Sequence, residues 1–156
     1  MAPSEMLQFD VEAELWWNPT GLELLPGERY RISARGQWRD AGIRSGAAGY
    51  SNTWLTWAEG SRRLKDADWF SLIAAIHPSP SLACKKPVGH NFLSGWMDSR
   101  RQGVKAIDSQ ARLARIGAEN TLDVVQAGYL YLFANDAPFA YCNNHGRVTV
   151  SVARLA

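Results

Sequence analysis

Polar and apolar residues alternate with period two through the clearest segments of the chain. Over residues 7–15 the odd positions are Leu7, Phe9, Val11, Ala13 and Leu15, and the even ones are Gln8, Asp10, Glu12 and Glu14. Successive side chains of a strand point to opposite faces, so this pattern predicts a strand with one buried and one wet face. Tyr30, Ile32 and Ala34 alternate in the same way with Arg31, Ser33 and Arg35, as do Val148, Val150 and Val152 with Arg147, Thr149 and Ser151. Residues 69–76 and 129–134 are apolar at nearly every position and read as central strands covered on both faces. Residues 53–57, 112–116 and 121–125 are shorter candidates.

Asn18-Pro19-Thr20-Gly21 and Pro26-Gly27 set a fixed φ beside a permissive residue, and both predict tight turns. Asn143-Asn144-His145-Gly146 predicts another before the last strand. Helix signals are sparse. Residues 109–115 could form two turns capped by Ser109, in competition with the strand over 112–116. Residues 77–103 hold Pro78, Pro80 and Pro87 and no period, so the region of about 77–110 reads as a long loop insertion, with a short helix near 92–100. Phe92, Leu93 and Trp96 would leave an apolar patch there, so the insertion is expected to be mobile or ordered by a subunit contact in a homo-oligomer. The expected fold is all-β: one antiparallel jelly-roll β-sandwich domain over residues 1–156.

Composition narrows the function classes. Of the 156 residues, 46% are apolar and 21% charged, which excludes a disordered chain. A net charge of +2 from scattered cations gives no nucleic-acid footprint. No apolar run is long enough to span a membrane, and residues 1–10 show no signal peptide, which points to cytoplasmic synthesis and leaves later release open. Cys84 and Cys142 are no disulfide framework, and His77, His90 and His145 lack zinc-site spacing. No nucleophile elbow, phosphate loop or facing pair of acids can be picked out, so no catalytic residue and no enzymatic activity is expected. The 11% aromatic content serves sandwich cores and sugar-stacking surfaces equally well.

Three segments carry a family resemblance. One runs from Val11 through Trp17, Thr20-Gly21-Leu22 and Pro26-Gly27 to Gly36-x-Trp38-x-Asp40. The second is residues 69–76, and the third is residues 128–150 with Asn135-Asp136-x-Pro138-x-x-Tyr141-x-Asn143-Asn144-x-Gly146. Together they resemble the Pseudomonas PA-I lectin family of calcium-dependent galactophilic lectins, which have a galactose-binding-domain-like jelly roll. The resemblance implies a calcium-dependent carbohydrate-binding protein whose ion is held by Asp136, Asn143 and Asn144, with backbone carbonyls from Ala140 and from Asp40 or Ala41. Sugar hydroxyls would complete the ion's shell beside Asp136 and Asn143. Calcium takes about 6–8 oxygen ligands, and one Asp, two Asn and loop carbonyls form a set of that kind.

The residues alone leave an alternative open: the Asn-rich stretch can be a plain turn, with Asp136 bonding loop amides. The family's His-Pro-x-Gln sugar contact also has no counterpart in residues 54–63, which leaves the sugar open between a galactose-like and another glycan. Trp57 could stack on a sugar and Arg62 could donate to its hydroxyls, or Trp54 and Trp57 could face the core. A lectin-like sandwich without sugar binding, serving as a structural or protein-interaction module, is the second function.

Overall fold

The last strand is the one on which the architecture is assembled. The computed structural model describes residues 1–52, 58–82, 86–89 and 91–156. Among them are ten strands and two α-helices: β1 (Met6–Glu12), β2 (Asn18–Leu24), β3 (Arg29–Arg35), β4 (Trp38–Asp40), β5 (Ile43–Ser45), β6 (Leu72–His77), α1 (Phe92–Arg101), α2 (Val104–Gln110), β7 (Arg112–Arg115), β8 (Glu119–Asp123), β9 (Gly128–Ala134) and β10 (Asn144–Arg154). β10 pairs antiparallel with β1 along one edge, Phe9 opposite Val150, and with β3 along the other, Ile32 opposite Val152. At the start of β10, β4 takes over from β3, with Asn144 opposite Asp40 and Gly146 opposite Trp38. Gly36 between β3 and β4 has φ 99°, which lets the chain bend there without a Cβ clash. The first sheet runs β5-β4-β10-β3-β8 with β1 added on β10, and the second runs β2-β9-β6-β7. Both are antiparallel, and the fold is an all-β sandwich.

The two apolar runs are central strands, and their alternation divides two cores. Leu72, Ala74, Ile76, Leu130, Leu132 and Ala134 face the first sheet and pack on Trp38, Ile32, Val148, Val150 and Val152. Ile73, Ala75, Tyr131 and Phe133 face the other way, under Trp16, Trp17, Val104 and Tyr141. Trp17 and Trp38 are buried, as structural residues are. The second core exists because the insertion folds back over the sheet. Val104 of α2 is buried in it, and Asp108 of α2 forms a bidentate pair with Arg63, with both N–O distances 2.7 Å.

Several expectations need correction. The Asn18–Gly21 stretch is no turn but part of β2, an edge strand whose register slips between Pro19 and Glu23. Pro19 lacks only an N–H that an edge can spare, Gly21 takes φ 73°, and the Thr20 hydroxyl donates to the Leu130 carbonyl. Asn143–Gly146 is likewise not a hairpin turn: Asn144 already opens β10, and Gly146 (φ 83°) lies within it against Trp38. The helix expected over 109–115 lies earlier, over Val104–Gln110, and Arg112–Arg115 forms the strand instead, paired with β6. The insertion is more ordered than a loop. Its first helix starts at Phe92, where Asn91 and Ser94 form a reciprocal cap, and Gly103 at φ 64° separates it from the second. The strand over 7–15 stops at Glu12. No helix among the described residues is long and apolar enough to cross a membrane.

Candidate functional site

Beyond β9 the chain carries a buried polar pair, and its two members have different roles. Asn135 is a staple: its amide nitrogen donates to the carbonyls of Leu64, Ala67 and Asp68, and its oxygen accepts from the Leu64 N–H. It fixes residues 64–68 against the end of β9. Asp136 is fully buried, and its Oδ1 accepts from the Ala137 N–H at 2.8 Å. Its Oδ2 is buried with no hydrogen-bond partner. A buried carboxylate oxygen left this way is costly unless something cationic compensates it.

A 3-10 turn over Pro138–Asn143 returns the chain to β10. Pro138 starts it with φ already set, and Trp16 Nε1 donates to the Pro138 carbonyl at 2.9 Å. The turn delivers Ala140 and Asn143 beside Asn144. Asn144 Nδ2 donates to the Ala13 carbonyl, which fixes that amide and turns its Oδ1 toward Asn143. Opposite stands Asp40 on β4, where the Tyr50 hydroxyl donates to Oδ2. The Ala41 N–H, from a residue held at φ 53°, donates to the Asn143 carbonyl at 2.9 Å.

These pieces meet at the Asn143 side chain. Its inward-facing terminal atom lies 2.9 Å from Asn144 Oδ1, 3.2 Å from Asp40 Oδ1 and 2.7 Å from the Ala140 carbonyl oxygen. With the amide nitrogen inward, these are three hydrogen bonds. With the oxygen inward, four oxygens converge, and only a cation could hold them together. Both carboxyls of the cluster are held above their usual range. Burial, then the Asp40 charge, push the Asp136 carboxyl well above the usual carboxylate range, while the Ala137 N–H, Asn144 and Arg63 pull it down. Asp40 is also raised by burial, with the Tyr50 hydroxyl holding it down. Tyr50 is raised in turn by burial and by Asp40. The set is all oxygen, with two carboxylates, two side-chain amides and a backbone carbonyl. Hard divalent cations take this donor chemistry. Among the described residues no three His, Cys, Asp or Glu side chains come together in a way that could hold a metal ion, so an ion here would rest on amide and carbonyl oxygens as well.

A cavity of about 230 Å³ opens over this cluster, bounded by Asp40, Asn52, Asp136 and Asn143 on the polar side and by Trp69, Phe92 and Phe139 on the apolar side. Phe92 comes from the first turn of α1, is 55% exposed, and meets Phe139 edge to face with ring centroids 5.7 Å apart. Thus Asp40, Asp136, Ala140, Asn143 and Asn144 are brought together. Trp57 lies outside the described residues, as do Trp54, Cys84 and His90. Arg62 does not line this cavity. Its guanidinium donates to the carbonyls of Glu59 and Lys65 and sits 5.3 Å from the Trp69 ring centroid, so it supports Trp69.

Two features escaped the sequence reading. Asp136 is not the lone carboxylate of the cluster, because Asp40 adds its side chain where only its carbonyl was expected. The signal was present in Gly36-x-Trp38-x-Asp40, but only the pairing of Asp40 with Asn144 gives it meaning. The aromatic wall comes from Phe92 of the insertion, for which spacing gives no signal.

No protein-family model matches the chain, and no curated protein matches it in sequence. Among solved structures, the chain is similar to the EclA N-terminal domain, a PllA-like lectin, with a TM-score of 0.57, 19% identity and 94% of each chain covered. The likeness spans nearly the whole length of both molecules and is a likeness of fold.

Proposed function

We propose that this protein binds carbohydrate through a calcium ion held by Asp40, Asp136, Asn143, Asn144 and the Ala140 carbonyl. The observation that carries the reading is the unpartnered buried Oδ2 of Asp136 beside a second, half-buried carboxylate and three converging neutral oxygens. Two carboxylates would balance a divalent charge, and five protein donors leave room in a shell of about 6–8 oxygens. An ion there supplies a Lewis-acidic anchor for vicinal sugar hydroxyls. The protein's part is to fix the donors. Ala13 orients Asn144, Tyr50 orients Asp40, and Ala137 orients Asp136. The cavity's aromatic side offers an apolar face to the ring carbons of a sugar. Fold likeness to a PllA-like lectin supports the class of ligand. No catalytic step belongs to this reading.

The nitrogen-inward orientation of Asn143 favours a second reading, in which three hydrogen bonds close the cluster without an ion and the domain is an interaction module. A glycan array probed with calcium and again with a chelator separates the two. Calcium-dependent binding to a sugar class supports the first. Calcium-independent silence across the array, with no calcium effect on melting, supports the second.

A further inference from the structure

Beside the cation cluster lies a second, larger depression, an open groove of about 840 Å³ between residues 60–65, the two insertion helices and the turn at 138–139. Ser61 and Phe139 line both it and the smaller cavity, so the two are contiguous. Besides Arg63, which is paired with Asp108, four cationic side chains line the groove: Arg62, Lys65, Arg100 and Lys105. Among the described residues none of the four is in an ion pair. The carboxylate in its lining, Asp108, is consumed by the buried bidentate pair with Arg63. Glu59, Asp66, Asp68 and Asp98, the acids nearest to it in sequence, are not among the lining residues.

The helix α1 joins the two depressions. Phe92, Trp96 and Arg100 are four residues apart and share one helix face. Phe92 borders the cavity, while Trp96 and Arg100 border the groove. Trp96 is 48% exposed, with the Arg100 guanidinium 4.9 Å from its ring centroid. An aromatic step of one helical turn, followed by cations, suits a chain of rings that leaves the cluster and carries negative charge. A groove this size admits a sugar residue or two.

We propose that the groove is the extension of the carbohydrate site and selects anionic glycans, with a sulfate or uronate on the residue next to the anchored sugar set among Lys65, Arg100 and Lys105. The inference rests on the cluster being the sugar anchor. Trp96 stacks on the adjoining ring, and the cations supply the preference for charge.

The test uses the full chain on an array of neutral oligosaccharides and their sulfated or uronate-bearing counterparts, followed by titration of the best matched pair. The anionic member should bind about tenfold tighter, in line with a few partly screened charge contacts. Lys65→Ala/Lys105→Ala should reduce it to the neutral level and leave the neutral sugar unchanged. Raising salt from about 0.05 M to about 0.5 M should do the same. Equal affinity for both members, or an unaffected double variant, overturns the groove assignment. So does polyphosphate competing as well as the anionic glycan, because the groove would then recognise charge without sugar. The neutral member titrated with and without chelator reports on the cluster separately. Chelator-insensitive neutral binding overturns the calcium anchor while the charge preference is still read from the pair, and silence across the array overturns both.

Discussion

Asp136 is the residue on which the calcium reading turns, and its burial makes two outcomes measurable. Calcium at about 100 times its dissociation constant should add about 2.7 kcal/mol to stability. In a domain of this length that is a rise of several degrees in melting temperature, which EDTA should reverse. Asp136→Asn should abolish the rise while leaving the metal-free protein at least as stable, since it removes an unpartnered buried charge. Asp40→Asn should weaken the response, which separates the two-carboxylate cluster from one built on Asp136 alone. The second outcome is a pH dependence with a defined sign. Both carboxyls titrate higher in the fold than in the unfolded chain. Without metal the folded protein therefore binds more protons above the ordinary carboxylate range of about 4, and its stability should fall as pH rises through that region. With calcium the carboxylates are needed as anions, so the calcium-induced rise in melting temperature should grow with pH. Melting curves from about pH 4 to 8, with and without calcium, check both signs. A calcium effect that is constant or larger at low pH would argue against carboxylate ligation.

Helix α1 acts at the scale of an element, because its contact with the 138–143 turn sets the wall of the cavity. Gly95 makes the contact: a Cβ there would come within 2.1 Å of the Phe139 carbonyl oxygen, a backbone atom that cannot swing away. Gly95→Ala should therefore lift α1 from the turn and displace Phe92. The expected result is weakened sugar binding with the calcium response largely retained, measured on the same array and by the same melts. β4 is the complementary element. Trp38 is fully buried between the sheets and stands two residues before Asp40. Trp38→Ala should cost about 3–5 kcal/mol, as for a buried large aromatic, and lower the melting temperature accordingly.

At the scale of the whole molecule, one ion pair fastens the insertion to the sandwich. Arg63 is fully buried, donates to Asp108 on α2, to the Trp16 carbonyl and to the Tyr141 hydroxyl, and lies 3.4 Å from the Phe133 ring centroid. Burial alone would lower its pKa, but Asp108 and Tyr141 raise it above its ordinary value, so it remains a cation. Removing one partner leaves a buried charge uncompensated. Asp108→Leu or Arg63→Met should each cost about 3–5 kcal/mol in denaturant melts, and the double variant should recover much of that. The pair also removes the groove's carboxylate from play, so one contact serves both stability and the charge of the adjoining surface.

The pattern of apolar and polar positions carried the sandwich. Its period-two alternation marked the wet strands β1, β3 and β10, because which face of a strand is buried is written into every second residue, and its unbroken apolar runs marked the doubly covered β6 and β9. The Asn135-to-Asn144 pattern likewise placed the candidate cluster at the end of a buried strand. Local chemistry failed where two segments compete for the same hydrogen bonds. Pro19 and Gly21 spell a turn until β9 supplies an edge, and Asn143-Asn144-His145-Gly146 spells a hairpin until β4 pairs with its second half. The short helix expected near 92–100 is α1, but α2 was misplaced for a related reason: its stability comes from the sheet it covers, which no local period reveals. Only the tertiary structure decided that Asp40 stands across from Asn144, that Phe92 walls the cavity and that a cationic groove adjoins it. Each of these joins residues separated by tens of positions or more: the pairing of β4 with β10 brings Asp40 to Asn144, and the folding of the insertion over the sheet brings Phe92 and the groove beside them.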